Sequence, residues 1–310
     1  MRRVYIIILN YKKWKDAQEC IESVFRSSYT NYSVIVIDNY SENESLEHLM
    51  NGVAHGALSI PYKYFHIKEF IDNVDIAVLP NLVFIQNDSN KGFAGGINIV
   101  LKKLLNEDAY IWLLNPDMVV AETTLSALAC FAEKNSSRSI IGSVIKYHDA
   151  PEKVHLYAGG RINFNSATVQ LIDRESDIGK LDYISGGSLF TGTHSFNDIG
   201  LLPDNYFLYW EETDWCYRAK KAGYKLCVCE TAICYDKVST TIGKSFLADY
   251  YYTRNGLLFL SKYKKSKVPV ALFFVILRCI KRVMTGEFKR AWGVYKGMVS
   301  FLKKEKNENK

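Results

Sequence analysis

Residues 4–9, Val-Tyr-Ile-Ile-Ile-Leu, are apolar without interruption. A run of that kind suits a strand covered on both faces, as in a parallel sheet. Behind it Ala17, Cys20, Ile21, Val24 and Phe25 recur at helical spacing. A second run, "SVIVIDN" at 33–39, completes a β-α-β unit, which nearly always crosses right-handed. The pattern predicts further strands at 82–87, 110–115 and 139–145, with helices at about 96–105 and 122–134. This alternation indicates an open α/β sheet. The strands end in Asn10, Asp38-Asn39, Asn87-Asp88, and Asn115 with Asp117. In such sheets ligands bind outside the carboxyl ends of the strands, so these polar ends are the first pointer to a site.

From 155 to 192 the texture changes to short alternating stretches with glycines, as expected of antiparallel or mixed strands added to the sheet. A helix over 211–223 with acids in its first turn, a strand over 225–234 and a helix over 245–263 follow. Residues 52–80 have weak periodicity and read as an insertion or mobile flap.

Charge divides the chain at about residue 261. Residues 262–310 carry 14 Lys and Arg against 3 Asp and Glu, a net of +11; with +6 for the whole, residues 1–261 carry −5. That split argues against a general nucleic-acid binder and for an anionic surface met by the tail. Residues 268–304 interleave a ten-residue apolar run with basic residues and Trp292, Tyr295 and Phe301. Helices lying in a membrane interface have this composition. A hairpin packed on the body, or on a second subunit of a homodimer, is the alternative. No run of about 18 apolar residues occurs, and "MRRVYIIILNY" reads as a first strand, not a signal peptide. The seven cysteines include no CxxC pair, and no histidine lies near Cys227, Cys229 and Cys234 in sequence, so reduced thiols of a cytosolic core are expected.

Two stretches carry candidate chemistry. "LLNPDMVV" (113–120) ends a hydrophobic strand in Asn-Pro-Asp, and a carboxylate there suits a divalent cation bridging a diphosphate. "YWEETDWCYR" (209–218) places three carboxylates in four positions between aromatic residues. The glycine-rich turn "NKGFAGGIN" (90–98) lacks the GxGxxG spacing and follows the third predicted strand, so a dinucleotide fingerprint is disfavoured.

In order along residues 3–262, "NYKKWKDAQECIESVF", "VIVIDN", "NKGFAGGIN", "LLNPD", "YISGGSLF", "FLYWEETDWCYRAKKAGYKL" and "YYTRNGLLFL" resemble the family 2 inverting glycosyltransferases, in particular their bacterial rhamnosyltransferase-like branch. The resemblance implies the GT-A fold, a Rossmann-like mixed sheet flanked by helices, over residues 1–261, with 262–310 as a basic amphipathic helical C-terminal extension. It implies a nucleotide-diphosphate sugar donor, dTDP- or UDP-linked with rhamnose favoured, and Mn2+ or Mg2+ as cofactor. A saccharide or lipid-linked glycan is the implied acceptor, in surface polysaccharide synthesis on the cytoplasmic, inner face of the plasma membrane.

By the same resemblance Asn10, Tyr11, Asp38 and Asn39, with the turn at Lys91-Gly92, hold the nucleoside, and Arg254 contacts the diphosphate. Asn115 and Asp117 match the Asp-x-Asp metal element with Asn first, which leaves one sure carboxylate. Asp236 stands where the family often has a metal-binding His, and is either the second ligand or a salt-bridged surface aspartate. Glu211-Glu212 match the family's Glu-Asp pair, so Glu212 takes the position of the general base, with a carboxylate about 1.5 Å further out. Glu211 and Asp214 are fallback bases, and Asp214 can also pair with Arg218 one turn on. Ser185 and Gly186 match the acceptor loop, and Trp210 offers a flat face for a sugar. A catalytically inert sugar-nucleotide-binding scaffold and a nucleotidyltransferase are the rival readings. The second lacks its Gly-rich basic loop after the first strand.

Overall fold

The apolar run at 4–9 becomes strand β1 (Val4–Asn10) at the centre of a ten-stranded sheet in a computed structural model. The structure describes residues 2–56, 58–237 and 245–308, the side chains of 304–308 excepted; positions 309 and 310 of the expected extension lie outside it. Along β1 alternate residues enter opposite cores: Val4, Ile6 and Ile8 pack on one side, Tyr5 and Ile7 on the other. Both faces are covered, which is why the strand is apolar throughout.

The first half is βα repeats: α1 (Trp14–Phe25), β2 (Tyr32–Asp38), α2 (Ser45–His55), β3 (Lys63–His66), α3 (Ile67–Asn73), β4 (Leu82–Gln86), α4 (Gly92–Leu104) and β5 (Tyr110–Leu114). Next come β6 (Met118–Val120), α5 (Thr124–Lys134), β7 (Ser139–Tyr147) and β8 (Ala150–Tyr157). A second, three-stranded sheet is formed by β9 (Gly159–Asn163), β10 (Thr168–Leu171) and β11 (Tyr183–Ile184), in the order β10-β9-β11. The chain then runs through β12 (Ser188–Gly192), α6 (His194–Ile199), α7 (Glu211–Lys221), β13 (Lys225–Asp236), α8 (Phe246–Tyr263), α9 (Val268–Met284) and α10 (Phe288–Glu308).

The large sheet is ordered β3-β4-β2-β1-β5-β12-β7-β13-β6, with β8 paired to β7. The five strands β1 to β5 run parallel, whereas β12 is antiparallel to both β5 and β7. A mixed sheet flanked by helices is what the GT-A expectation describes, and the C-terminal helices are present.

Residues 52–80, position 57 apart, contain regular elements. They hold the end of α2, strand β3 on the sheet edge and α3. Leu46, Leu49 and Val53 anchor α2, while three of the four residues of β3 are exposed. An edge strand covered by so little has no reason to be apolar, and its pattern is correspondingly faint.

A third core joins the C-terminal helices to the body. Leu257 and Leu260 of α8 meet Ala271 and Val275 of α9, Val294 and Phe301 of α10, and Trp210. The outer sides of α9 and α10 keep Phe273, Phe274, Leu277, Ile280, Phe288 and Trp292 exposed. Among the described residues no helix is long and apolar enough to cross a membrane. All seven cysteines are free thiols.

Candidate active site

Parallel pairing sets Asn10 opposite Asp38 at the carboxyl ends of β1 and β2. Both side chains are buried, and Asn10 Nδ2 donates to Asp38 Oδ1 at 3.1 Å. The other carboxylate oxygen of Asp38 accepts from the Ser41 amide at 2.9 Å. Asn39 Oδ1 accepts from Asn87 Nδ2 at 3.0 Å and from the Lys91 amide at 3.2 Å. Its Nδ2 donates to Asn90 Oδ1 at 2.9 Å and to the Gly92 carbonyl at 3.2 Å. Three strand ends and the glycine turn are thus tied into one polar floor. Asn10 Oδ1 and Asn87 Oδ1 are buried there without a partner, an expensive state unless a ligand's donors reach them. Tyr11 is half-buried beside this floor. Asn87 was expected only as one of the polar strand ends, and Asn90 was not expected at all; "SNKG" at 89–92 carries only the generic signal of a turn.

Gly92 shows why the turn needs glycine. Its φ is +72°, and a Cβ there would lie 2.3 Å from the carbonyl oxygen of Phe207. The next residue's amide, Phe93 N, donates to that same oxygen at 2.9 Å. Arg254 stands behind this contact. Its Nη2 donates to the Tyr206 carbonyl at 2.7 Å and its guanidinium lies over the Tyr251 ring, 5.0 Å from the centroid.

At the end of β5 the chain turns sharply: the Met118 amide donates to the Asn115 carbonyl at 3.2 Å, and β6 departs to pair with β13. Asp117 is buried, and its Oδ1 meets no hydrogen-bond partner. Burial first, and then the charge of Asp236, push its carboxyl up to about 6. Asp236 Oδ2 lies 3.2 Å from His155 Nδ1, on β8. A buried carboxylate with one oxygen unsatisfied and a second carboxylate near it are a donor set that a hard divalent cation fits. Among the described residues no group of three His, Cys, Asp or Glu converges to hold a metal alone, so the remaining ligands would be water or diphosphate oxygens. His155 had no motif to announce it.

Helix α7 begins abruptly. Phe207, Tyr209 and Trp210 have φ of 70°, 64° and 79°. Non-glycine residues in that region cost on the order of 1–3 kcal/mol each, and such strain clusters at functional sites. Glu211 and Glu212 follow at the first two helical positions. Glu211 is fully buried with neither carboxylate oxygen bonded; burial, then the charge of Glu212, hold its carboxyl protonated well above the ordinary range. Glu212 is half-buried. Burial pushes it up to about 7, opposed by the amides of residues 212 and 213 at the positive end of the helix.

Glu212 opens into a cavity of about 300 Å³ walled by Tyr183, Tyr209, Trp210 and Tyr252, with Asp249 and Arg290 from the C-terminal helices at its side. Trp210 is almost wholly covered, its Nε1 donating to the Tyr252 carbonyl at 3.2 Å. Glu211 and Asp214 do not line this cavity. Asp214 is committed elsewhere: buried, it pairs with Arg218 Nε at 3.0 Å and Lys262 Nζ at 3.0 Å, and accepts from the hydroxyls of Tyr206 at 2.8 Å and Tyr263 at 2.9 Å. The pairing with Arg218 is as expected. A base role is not what this geometry offers, because four donors already occupy the carboxylate.

Two adjacent glycines join the halves. A Cβ on Gly186 would lie 3.0 Å from the Phe93 ring and 3.8 Å from Glu212 Cγ. One on Gly187 would lie 2.8 Å from Met118 Cε and 3.8 Å from Asn115 Nδ2. The Asn115 amide donates to the Gly187 carbonyl at 3.1 Å. Half-buried Ser185 closes the loop, its Oγ accepting from the Gly187 amide at 3.2 Å. The 185–187 loop therefore stands beside Glu212 and the Phe93 ring on one side, and beside Met118 and Asn115 of the strand-end turn on the other.

Comparison with known proteins agrees with this architecture. The family model of glycosyl transferase family 2 matches residues 5–69 and 66–190. The low-salt glycan biosynthesis hexosyltransferase Agl10 of Haloferax volcanii is 24% identical over 233 residues, 72% of this chain and 74% of that protein. The mannosyltransferase PcManGT of Pyrobaculum calidifontis, solved with GDP-Man and Mn2+, superimposes with a TM-score of 0.59 at 11% identity, covering 97% of this chain and 87% of its own. GalNAc-T7, solved with UDP, GalNAc and Mn2+, gives 0.55 at 14% identity over 89% of this chain and 56% of its own. At those identities the likeness to solved structures establishes the fold alone. The family model spans more than half of the sequence, and the chain belongs to glycosyl transferase family 2.

Proposed function

We propose that this protein is an inverting, metal-dependent glycosyltransferase that moves a sugar from a dTDP- or UDP-sugar to a saccharide acceptor. The observation that supports the proposal is the glycine pair 186–187, one glycine beside Glu212 and the next beside Asn115 and Met118 of the strand-end turn. The nucleoside would rest on Asn10, Tyr11, Asp38 and Asn39, with the turn at Lys91-Gly92 beside it. Asp117 and Asp236 would hold Mn2+ or Mg2+, which when bound offsets the negative charge of the diphosphate leaving group. Arg254, whose Nη2 binds the Tyr206 carbonyl next to the residue that meets the donor turn, would add to that charge balance.

Glu212, ionised, takes the proton of the acceptor hydroxyl. The hydroxyl oxygen bonds to the anomeric carbon as the bond to the diphosphate oxygen breaks, and that electron pair leaves with the nucleoside diphosphate. One displacement inverts the anomeric centre. Half-buried Tyr209 and Tyr252 in the wall around Glu212 offer stacking faces to the acceptor, a part that covered Trp210 does not take, and the wall excludes water that would hydrolyse the donor. Rhamnose is favoured by the motif resemblance, whereas the relatives are named for other transfers: a hexosyltransferase in one case and a mannosyltransferase bound to GDP-Man in another.

The acceptor is proposed to be lipid-linked, with the enzyme peripheral on the cytoplasmic face of the plasma membrane. Support comes from the exposed apolar residues of α9 and α10 beside exposed Lys281, Lys289 and Lys296. A second copy of the chain in a homodimer is the other occupant that face would suit.

The test is to incubate purified protein with UDP-, dTDP- and GDP-sugars, with and without Mn2+, and detect the nucleoside diphosphate released. Turnover of a dTDP- or UDP-sugar that collapses on chelation is expected. Glu212→Gln should lower transfer to a supplied acceptor by about 100-fold or more while nucleotide binding persists. Near-wild-type transfer by that variant refutes the base assignment, and release of pyrophosphate instead refutes the reaction class.

A further inference from the structure

We infer that Asn255, on α8, is a positioning residue for transfer: its side-chain amide latches segment 206–209, which runs from the donor turn to α7, and thereby fixes where Glu212 stands. The inference rests on the reading of Glu212 as the base. Asn255 is fully buried. Its Nδ2 lies 2.9 Å from the Tyr206 carbonyl, 2.7 Å from that of Leu208 and 3.0 Å from that of Tyr209. Two N–H groups thus serve three carbonyls, with one bond shared. Its Oδ1 accepts from Arg254 Nε at 2.8 Å, which fixes the orientation of the amide, since the reversed amide would set its oxygen against three others.

The segment needs such a partner. Phe207, with φ 70° and ψ −46°, is in the sparsely populated γ-turn region, and Tyr209 and Trp210 are also at positive φ. Tyr206 ends a single 3-10 turn and Leu208 and Tyr209 lie in no helix or strand, and strained backbone persists only where its surroundings over-determine it. On its other side the segment rests against the donor turn through the Phe93 amide and the close approach at Gly92. Three elements therefore meet on residues 206–209: the start of α4, the start of α7, and α8. Glu212 is two residues beyond the last strained position, so a slackened segment displaces it directly. The charged groups around the pair Glu211-Glu212 include Asp249, Arg290 and Arg254, with Tyr183, Tyr206, Tyr209, Tyr252 and Cys216 as further ionisable neighbours. Asn255 adds no charge to that set, so its effect is on position.

Two variants separate donation from bulk. Asn255→Asp keeps the shape but presents oxygens to the three carbonyls; Asn255→Ala removes the contact. In both, hydrogen exchange should quicken over residues 205–212 and at Phe93, while β1 and β2 stay protected. With whichever nucleotide sugar turns over, kcat should fall about 10- to 100-fold at a donor KM within about threefold of wild type, the size expected when a reacting group shifts by about 1 Å. An Asn255→Asp enzyme with wild-type kcat overturns the inference, as does a lost kcat without local change in exchange. Global unfolding of both variants, seen by circular dichroism, also overturns it by reducing Asn255 to a core residue. A wild-type protein that transfers no sugar overturns the functional reading instead, and the exchange experiment then decides separately whether the latch exists.

Discussion

Glu211 and Glu212 adjoin in sequence but differ in surroundings. Glu211 points into protein and finds no donor, while Glu212 faces a cavity and has free helix amides beside it. Two neighbouring carboxyls so placed share their charge unequally: the enclosed one keeps its proton and the open one gives it up. A base must be deprotonated, so kcat/KM should rise with pH, reach half its plateau near 7, and flatten above about 8. A limb at ordinary glutamate values would remove Glu212 from the role. Glu211 affects stability in the opposite sense to a salt-bridged acid. Its native state holds a proton that the unfolded chain releases above the ordinary carboxyl range, so stability falls as pH rises through that range. Glu211→Gln removes this dependence, and its gain in thermal midpoint over wild type should be larger at pH 8 than at pH 5. Equal gains at both would contradict the assignment.

At the level of elements, legibility followed coverage. β1, β2, β4 and β5 are covered on both faces, so each is a plain apolar run whose polar end marks the site. β3 and α2 border solvent, and the same logic left them faint. The carboxylate cluster was visible at the head of α7, yet its composition did not separate Asp214, a four-donor brace, from Glu212. The left-handed turns at Phe207, Tyr209 and Trp210 were hidden because aromatic residues do not advertise positive φ. Nor could local pattern find Asn255 or His155, whose partners lie 46–49 and 81 positions away. The acceptor-side loop was read from "SGG", and its physical reason is now specific. Gly186→Ala would set a methyl 3.0 Å from the Phe93 ring and 3.8 Å from Glu212 Cγ. The variant should fold with a near-normal melting temperature and lose about tenfold or more in transfer. Full activity would show that the cleft has room to spare.

For the molecule as a whole, the C-terminal helices serve two faces. Inward, Asp249 of α8 pairs with Arg282 at 2.6 Å and Arg290 at 2.8 Å, and Glu287 pairs with Arg282 at 2.8 Å and with Arg290, so the helices are cross-braced beside the cavity. Outward, they show apolar side chains among lysines. On the proposed membrane reading each exposed lysine near an anionic surface contributes about 1 kcal/mol. Replacing Lys281, Lys289 and Lys296 together by alanine should therefore weaken binding to phosphatidylserine-containing vesicles by about 100-fold, measured by co-sedimentation, and leave nucleotide binding unchanged. Unaltered sedimentation would favour a second copy as the occupant, which ultracentrifugation would then reveal.

Arg290 lines the cavity and Trp292, two residues along the same rigid helix, faces outward. On that reading the distance from bilayer to reacting hydroxyl is built into α10 and does not adjust. Such an enzyme would work as a depth gauge: it would elongate glycans whose growing tip lies close to their lipid anchor, and pass over chains that have already grown beyond its reach.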